Sequence, residues 1–268
     1  MSADVADDIC LRNRGTHAVI TGGSQGVGLA IAKRLAREGA PSIVLAGRDQ
    51  AKGDAAAAEV RALGAECIFV TMDVAKPDDC SRLIETAIAR FGTINALVNA
   101  AATSARGSLL DTTLDMWDAH MNTNVRGPFL LMQGMVRHLV ERGTPGSIVN
   151  VLSQSAHAGQ AYLTPYSTSK GALATLTKNV ANAFAANRIR CNGLMVGWMD
   201  TPGEHVVQQR YHGRGEDWLK EAEAAQPMGQ LVKPDQVAAL AAYLLSPESG
   251  VMTGALIDYD QKVVGAYA

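Results

Sequence analysis

Tyr166 and Lys170 are separated by three residues, a spacing that on a helix places the phenol and the ammonium on one face. A cation close to a phenol favours the phenolate and lowers the tyrosine pKa from its ordinary value of about 10. Such a tyrosine exchanges a proton with an alcohol oxygen near neutral pH. The pair alone also fits a solvated helix face, so this chemistry requires a cofactor cradle and a second oxygen-binding group elsewhere in the chain.

A glycine-rich turn follows the first apolar strand of the chain. Its glycines, Gly22, Gly26 and Gly28, have the spacing Gly-x-x-x-Gly-x-Gly, and a helical segment at Val27–Arg37 begins within it. Glycines at such a turn let the backbone approach a pyrophosphate, and the helix N-terminus offers that anion free N–H groups. A tight strand–helix connection without a ligand is the alternative, but the strand before and the helix after the turn favour nucleotide binding.

Short apolar segments alternate with amphipathic helical segments almost to the end of the 268 residues. This alternation predicts an α/β fold: one doubly wound domain in which helices cover both faces of a parallel sheet of about seven strands. We assign residues 1–14 to an N-terminal arm and residues 15–268 to a dinucleotide-binding catalytic domain. The polar segment at about 198–233 is predicted to be a lid over the carboxyl ends of the strands. The predicted strands are His17–Thr21, Ser42–Ala46, Glu66–Thr71, Asn95–Asn99, Ser147–Ser153, Ile189–Val196 and Ala255–Tyr259.

The composition argues against several classes of function. A formal net charge of −2 without a basic stripe gives little support for nucleic-acid binding. No apolar run reaches the length needed to cross a bilayer, so we expect no membrane segment. The acidic N-terminus lacks the apolar core of a secretory signal. Four widely spaced cysteines without a CxxC pair are typical of reduced thiols, and we expect a soluble, cytoplasmic protein.

These features occur in an order that resembles the short-chain dehydrogenase/reductase family in its compact, single-domain form. The resemblance covers nearly the whole chain and implies a Rossmann-like domain that interconverts a secondary alcohol and a ketone by NAD(P)-dependent hydride transfer. A sugar-nucleotide epimerase or dehydratase, and a sensor that binds the cofactor without turnover, are the alternatives. The landmarks are the TGxxxGxG turn at Thr21–Gly28, Asp73-Val74, Leu97-Val98-Asn99-Ala100-Ala101, Asn124, Ser153, the Tyr166/Lys170 pair and Asp200-Thr201.

The resemblance also implies roles for individual residues. In the expected catalytic group, Ser153 and Tyr166 bind the substrate oxygen, Tyr166 exchanges its proton, and Lys170 and Asn124 complete a proton path to solvent. Ser155 competes with Ser153 for the serine role. The expected cofactor-binding residues are Gly22, Ser24, Gln25, Val27, Gly28, Arg48, Asp73, Val74, Asn99, Ala100, Ala101, Tyr166, Lys170, Met199 and Thr201.

The end of the second strand bears on the choice between the two nicotinamide cofactors. Gly47 stands where an acid would bind the adenosine ribose hydroxyls, and the neighbouring Arg48 is suited to clamp a 2′-phosphate. In this family such an arrangement implies NADP(H), which is the expected cofactor. NAD(H) is the alternative, because Arg48 can instead stack over the adenine while Asp49 reaches the ribose. Gln25, which replaces a basic residue common in NADP(H)-specific members, also favours NAD(H).

The substrate is expected to be a polar small molecule, such as a sugar or a polyol, because the predicted lid is rich in hydrogen-bonding side chains. The resemblance and the spacing place Ser153, Ser155, His157 and Trp198 near this substrate. Surface helices carry such polar groups in most proteins, so an ordinary solvated surface is the alternative interpretation of the lid.

No catalytic metal is expected, because Asp200, Glu204 and His205 match no recurrent metal site and hydride transfer to a nicotinamide needs none. The resemblance also implies an assembly. The long helices around Leu114–Arg142 and Pro165–Asn187 are expected to pair with those of other subunits in a homotetramer with two-fold axes.

Overall fold

The computed structural model describes residues 11–266, in which strands and helices alternate as predicted. The predicted arm at residues 1–14 therefore lies mostly outside the described residues. The strands are β1 (His17–Thr21), β2 (Ser42–Gly47), β3 (Glu66–Thr71), β4 (Ala96–Asn99), β5 (Gly146–Val151), β6 (Ile189–Val196) and β7 (Leu256–Tyr259). The helices are α1 (Gly26–Arg37), α2 (Gln50–Arg61), α3 (Pro77–Phe91), α4 (Leu114–Met121), α5 (Gly127–Arg142), α6 (Thr164–Ala183), α7 (Pro202–His212), α8 (Trp218–Ala224) and α9 (Pro234–Leu245).

The strands are apolar along their length because helices cover both faces of the sheet. Successive side chains of a strand point to opposite faces. In β1, Ile20 packs on one face with Ile31 of α1 and Ala241 of α9. Its neighbour Val19 packs on the other face, among side chains of α3, α5 and α6 that include Leu131. The doubly wound fold expected from the alternation of segments is confirmed.

The strand order β3-β2-β1-β4-β5-β6-β7 reverses direction between β1 and β4, and all the pairings are parallel. The chain leaves β1 and β4 on opposite sides of this point, which opens a crevice at the carboxyl ends of the two strands. The glycine-rich turn follows β1, and residues 100–113 follow β4. The topology therefore brings the motifs of both halves of the chain to one edge of the sheet.

Two predicted elements differ clearly from the structure, while β2, β4 and β7 differ by one residue at one end. The fifth strand ends two residues early, at Val151, and Ser153 begins a 3₁₀ turn, Gln154–Ala156. The Ser153 hydroxyl accepts a hydrogen bond from the Ser155 N–H over 3.2 Å, which stabilises the turn. The helical region predicted around 114–142 is divided, because a π-helical turn at Asn122–Arg126 separates α4 from α5.

The segment between β6 and α9, predicted as a lid, contains α7 and α8 and is attached to the sheet end by two sets of contacts. Met199 and Val232 form an isolated parallel bridge. The Lys233 ammonium binds the carboxylates of Asp200 at 2.8 Å and Glu223 at 2.5 Å. These contacts fix both ends of the segment close to the carboxyl end of β6.

Candidate active site

A cleft of about 1180 Å³ opens at the carboxyl ends of the strands, between the glycine-rich turn, the loops after β4 and β5, and α7. Most of the residues predicted to bind the cofactor line it. Two of them, Asn99 and Lys170, do not line it and are buried in the protein. The predicted cofactor-binding residues in the lining are Gly22, Ser24, Gln25, Val27, Gly28, Arg48, Asp73, Val74, Ala100, Ala101, Tyr166, Met199 and Thr201.

The glycine-rich turn has no room for side chains at two positions. Gly22 has a φ of +66°, and a Cβ there would lie 2.9 Å from the Ala101 nitrogen. A Cβ on Gly28 would lie 2.4 Å from the Gly22 carbonyl oxygen. The Thr21 hydroxyl accepts hydrogen bonds from the amides of Ala100 and Ala101, which fixes β1 against the end of β4. The first turn of α1 consequently faces the cleft with bare backbone, so the residues present fit a dinucleotide pyrophosphate.

The part of the cleft predicted to hold the adenosine is formed after β2 and β3. Arg48 is exposed and lines the cleft. A Cβ on Gly47 would make only ordinary van der Waals contacts, so this position has space for a side chain. The Asp73 carboxylate accepts a hydrogen bond from the Ala75 N–H over 3.0 Å, which orients it at the cleft wall.

Ser153 and Tyr166 meet where the chain leaves β5 and enters α6. The Ser153 oxygen accepts two hydrogen bonds from Ser155, one from the N–H at 3.2 Å and one from the hydroxyl at 3.0 Å. These occupy both acceptor sites of the Ser153 hydroxyl, so its own hydrogen is available to another oxygen. The Ser153 hydroxyl acts to lower the pKa of the Tyr166 phenol, and both side chains line the cleft. A carbonyl oxygen placed beside both hydroxyls would accept one hydrogen bond from each.

The structure corrects the expected direction of the Tyr166 pKa. Burial raises this pKa above its ordinary value; the hydrogen bond with Ser153 and the positive charge of Arg106 act in the opposite direction, and Glu204 adds to the rise. Lys170 does not lower it, contrary to the prediction from the four-residue spacing. At neutral pH Tyr166 is therefore a neutral phenol, the form that donates a proton to a ketone oxygen.

Lys170 is directed to the backbone rather than to the phenol oxygen. Its ammonium donates a hydrogen bond to the Val151 carbonyl oxygen over 2.7 Å and lies 5.7 Å from the centroid of the Tyr166 ring. Burial lowers the pKa of Lys170 to about 8. The side chain therefore fixes α6 to the end of β5, and near pH 8 it carries its charge only part of the time.

We expect the Lys170→Met substitution to remove a pH dependence of stability. The pKa of Lys170 is about 8 in the folded protein, whereas a lysine in the unfolded chain has its ordinary value of 10.5. The unfolded chain therefore binds more protons between these values, and the free energy of unfolding of the wild type rises with pH there. The difference in unfolding free energy between wild type and Lys170→Met should grow by about 2 kcal/mol from pH 8 to pH 10. Urea unfolding at each pH measures this difference in free energy.

Lys178→Met, at an exposed position of α6, is the control and should leave the pH dependence of the unfolding free energy unchanged. A difference between wild type and Lys170→Met that stays constant from pH 8 to pH 10 would contradict the expectation.

Asn124 lies in the π-helical turn and is fully buried. Its amide oxygen accepts a hydrogen bond from the Thr103 N–H, and its amide nitrogen donates to the Thr103 carbonyl and to the Ser169 hydroxyl, each at 2.9 Å. This side chain makes no direct hydrogen bond to Lys170, and the predicted water-linked proton path through Asn124 stays a prediction. Asn124 instead fastens the loop after β4 to the helix that carries Tyr166.

Asn99 is also buried, at the carboxyl end of β4. Its amide nitrogen donates a hydrogen bond to the Asn150 amide oxygen over 2.8 Å, and its amide oxygen has no partner among residues 11–266. The side chain thus connects β4 to β5 below the cleft. Its neighbours Ala100 and Ala101 line the cleft and Asn99 does not, and the predicted contact of Asn99 with the cofactor ribose stays a prediction.

Three of the four predicted substrate contacts, Ser153, Ser155 and Trp198, line the cleft. The fourth, His157, does not. Its Nε2 forms a hydrogen bond of 2.8 Å with the Asp258 carboxylate on β7, because the 3₁₀ turn after β5 carries the chain to that strand. The predicted contact of His157 with the substrate stays a prediction that this placement does not favour.

The acidic and histidine side chains near position 200 bind protein partners. The Asp200 carboxylate contacts His205 Nε2 at 2.9 Å and the Lys233 ammonium at 2.8 Å. The Glu204 carboxylate accepts a hydrogen bond from Trp198 Nε1 over 2.8 Å. These contacts stabilise the base of the segment that contains α7.

Sequence reasoning missed several polar residues of the cleft that lie outside the motifs. Some come from segments joined only by the fold, since Gly107 and Leu163 form a parallel bridge across 56 positions of the chain. No local pattern marks such residues, because their neighbours are set by the sheet topology. The missed residues in the lining are Arg106, Gln154, Tyr162, Arg214 and Asp260.

Known proteins resemble this chain along most of its length. The family model described as "Enoyl-(Acyl carrier protein) reductase" matches residues 22–261. Dehydrogenase/reductase SDR family member 4 of Oryctolagus cuniculus is 35% identical over 240 residues, which cover 88% of this chain and 89% of that protein. Cis-4-hydroxycyclohexanecarboxylate dehydrogenase of Sinomonas cyclohexanicum is 33% identical over 245 residues, covering 91% and 94%. Glucose 1-dehydrogenase 2 of Bacillus subtilis is 30% identical over 247 residues, covering 92% and 93%.

Solved structures share the architecture. A variant of actinorhodin polyketide ketoreductase with NADPH has a TM-score of 0.85 at 28% identity, covering 91% of this chain and 96% of that one. A short-chain type dehydrogenase/reductase from Mycobacterium marinum has a TM-score of 0.84 at 30% identity, covering 94% and 96%. The resemblance inferred from the motifs is confirmed. The chain belongs to the short-chain dehydrogenase/reductase family and is an oxidoreductase that acts on CH–OH groups.

Proposed function

We propose that this protein interconverts a secondary alcohol and a ketone, with Tyr166 as the proton donor and acceptor. One observation carries the proposal: Ser153 and Tyr166 line the same cleft as the glycine-rich cradle, and the Ser153 hydroxyl acts to lower the pKa of the Tyr166 phenol. A nicotinamide dinucleotide held in that cradle supplies or accepts the hydride.

The residues of the chain account for the remaining chemistry. As a ketone is reduced, negative charge develops on its oxygen, and the Ser153 hydroxyl, held by Ser155, donates a hydrogen bond to it. Tyr166 transfers its phenolic proton to the same oxygen. In the oxidative direction the Tyr166 phenolate removes the alcohol proton. Lys170, hydrogen-bonded to the Val151 carbonyl, keeps α6 in the register that brings Tyr166 to Ser153.

The proposed cofactor is NADP(H). The alternative required Asp49 to reach the adenosine ribose, but the Asp49 carboxylate accepts a hydrogen bond from the Lys52 N–H over 3.0 Å and caps α2. Gly47 carries no acid that would repel a 2′-phosphate, and Arg48 lines the cleft beside it. The ketoreductase with a similar fold is described with NADPH. Arg48 is therefore the proposed 2′-phosphate ligand.

The Arg48→Ala substitution is expected to lower kcat/KM for NADPH by about 10- to 100-fold, because it removes a charge-assisted contact with the 2′-phosphate. The value for NADH should change by less than about threefold, since NADH lacks that group. Steady-state rates with both cofactors measure the effect. Lys52→Ala, which removes an exposed cation from the next helix, is the matched control and should alter neither value.

A strong NADH preference in the wild type would contradict the cofactor proposal. The Gly47→Asp substitution, which the available space permits, should create that preference.

The proposed substrate is a polar small molecule. Polar side chains of α7, Glu204, Gln208, Tyr211 and His212, line the cleft. We propose that the segment at 198–233 acts as a lid through these contacts. The relatives named for glucose and for cis-4-hydroxycyclohexanecarboxylate support a polar hydroxyl compound.

A substrate screen tests the proposed function. Purified protein is mixed with NADPH or NADH and a panel of sugars, polyols, cyclic alcohols and ketones, and the absorbance of the reduced nicotinamide is followed. We expect turnover of at least one secondary alcohol or its ketone. Tight cofactor binding without turnover of any compound would favour a sensor, and inversion of a hydroxyl without net cofactor oxidation would favour an epimerase.

We propose that the protein is a cytoplasmic homotetramer. Cys67, Cys80 and Cys191 are buried free thiols, which suits a reducing compartment. Among residues 11–266, no helix combines the length and apolar character that a bilayer crossing needs. Leu110 and Leu114, beside α4, are 96% and 81% exposed, which favours contact with another subunit. Light scattering should give four times the chain mass, and a monomer at micromolar concentration would contradict the assembly.

A further inference from the structure

Arg106 lies on the loop between β4 and α4, at the substrate side of the cleft. The next residue, Gly107, is bound to the start of α6, because its N–H donates to the Tyr162 carbonyl and its carbonyl accepts from the Thr164 N–H, each over 3.0 Å. This double hydrogen bond ties Arg106 to the helix that carries Tyr166. The glycine-rich turn and Arg48, by contrast, follow β1 and β2, on the other side of the switch point.

The guanidinium of Arg106 has no carboxylate partner among the residues that the structure describes. Its Nη1 donates one hydrogen bond, to the Ser104 carbonyl at 3.0 Å. Its Nε is buried and has no hydrogen-bond partner within residues 11–266. The guanidinium carbon lies 5.7 Å from the centroid of the Tyr162 ring, which supports the side chain but leaves its charge unneutralised.

Other partly buried arginines of this protein are satisfied by protein groups. Arg12 forms a two-armed ion pair with the Glu38 carboxylate. Arg190 donates to the carbonyls of Leu244 and Ser246. A buried donor without a partner costs free energy, so an arginine that keeps one inside a cleft indicates a ligand that completes its hydrogen bonds.

Other charged and polar side chains that line the same cleft bear on whether it can hold an anion. Gln154, also in the cleft lining, has both amide atoms buried without partners in the described part of the chain. Arg214 lines the cleft and lies over the Trp198 ring. The acid on this side, Glu204, accepts hydrogen bonds from Trp198 and Gln208 and forms no ion pair with an arginine among residues 11–266. Asp260, a second acid of the lining, accepts a hydrogen bond from the Gln261 N–H.

We propose that Arg106 binds a carboxylate carried by the substrate, so that the natural substrate is a hydroxy acid or the corresponding keto acid. This inference rests on the proposed function and specifies its substrate class. The planar guanidinium fork matches the two oxygens of a carboxylate. Arg106 and Tyr166 line the same cleft, and the hydrogen bonds of Gly107 hold the Arg106 loop against the start of the helix that carries Tyr166. The Gln154 amide donates the second polar contact.

Paired keto acids and carboxamides test this inference. The acids 2-oxobutanoate, 3-oxobutanoate, 4-oxopentanoate and 5-oxohexanoate place the carboxylate at increasing distance from the ketone, and each is compared with its neutral amide. Binding is measured by titration calorimetry and reduction by steady-state rates with NADPH and NADH. In the wild type, at least one acid should bind and be reduced about 10- to 100-fold better than its amide. In Arg106→Gln this ratio should fall to about 1, with the amide little changed.

Two further variants separate recognition from a structural effect. Arg106→Lys keeps the charge without the fork and should give an intermediate ratio. Arg210→Gln, on α7 outside the cleft lining, should leave the ratio unchanged. Acids that bind and react no better than their amides, or an equal loss for acid and amide in Arg106→Gln, would overturn the inference while the proposed function stands. Arg106-dependent binding of an acid without reduction of any ketone would support the anion site and overturn the proposed function.

Discussion

The Tyr166→Phe variant is expected to lower kcat by about 10²- to 10⁴-fold, in both directions of the reaction. The substitution removes the phenolic proton that would pass to the substrate oxygen, while the ring continues to fill its place beside Lys170. Cofactor affinity should change little, because the cradle at Gly22–Gly28 is formed by backbone and is untouched. Steady-state kinetics with the best substrate from the screen, together with fluorescence titration of NADPH, measure both quantities.

Tyr162→Phe is the matched control for this variant. Tyr162 also lines the cleft and loses the same hydroxyl, but it lies over Arg106 and not beside Ser153. We expect its kcat to stay within about tenfold of the wild type. Retention of near wild-type kcat by Tyr166→Phe would contradict the assignment of Tyr166 as proton donor.

The second large effect is expected for Ser153→Ala, a loss of about 10²- to 10³-fold in kcat. The Ser153 hydroxyl is oriented as a donor, since both of its acceptor sites are filled by Ser155. Its loss removes a hydrogen bond that strengthens as charge develops on the substrate oxygen, and kcat should therefore fall more than KM rises. Pre-steady-state rates of cofactor oxidation measure this step.

Ser155→Ala separates the two serines that compete for this role. It removes one donor to Ser153 but retains the Ser155 N–H contact at 3.2 Å, so we expect less than about a tenfold loss. The positioning of Ser153 would then be weakened without being lost. A larger loss in Ser155→Ala than in Ser153→Ala would reverse the assignment of the two residues.

Much of the fold could be predicted because its signals are local. The strand at His17–Thr21 is a continuous apolar segment. Two of the glycines that follow it, Gly22 and Gly28, occur where neighbouring backbone segments lie too close together for a side chain. Seven such segments alternating with helices permit few arrangements other than a doubly wound sheet. The Tyr166/Lys170 pair was also predictable from a local signal, because residues four apart on a helix lie on the same face. Both residues lie on α6.

The details of the site could not be predicted because they depend on contacts between distant segments. Sequence spacing placed Lys170 beside the phenol, but it could not show that the ammonium binds the Val151 carbonyl or that burial dominates the Tyr166 pKa. His157 was assigned to the substrate from its distance along the chain, whereas it pairs with Asp258, 101 positions away. Arg106 belongs to no motif, and only the completed fold shows that its guanidinium has no carboxylate partner among residues 11–266.

The most direct test is a crystal structure of the protein with reduced cofactor and a ketone that it converts slowly. We expect the ketone oxygen within about 2.6–3.2 Å of both the Ser153 and Tyr166 hydroxyl oxygens, and the ketone carbon about 3–3.5 Å from C4 of the nicotinamide. A ketone whose oxygen contacts neither hydroxyl, or a nicotinamide ring outside reach of the ketone carbon, would contradict it.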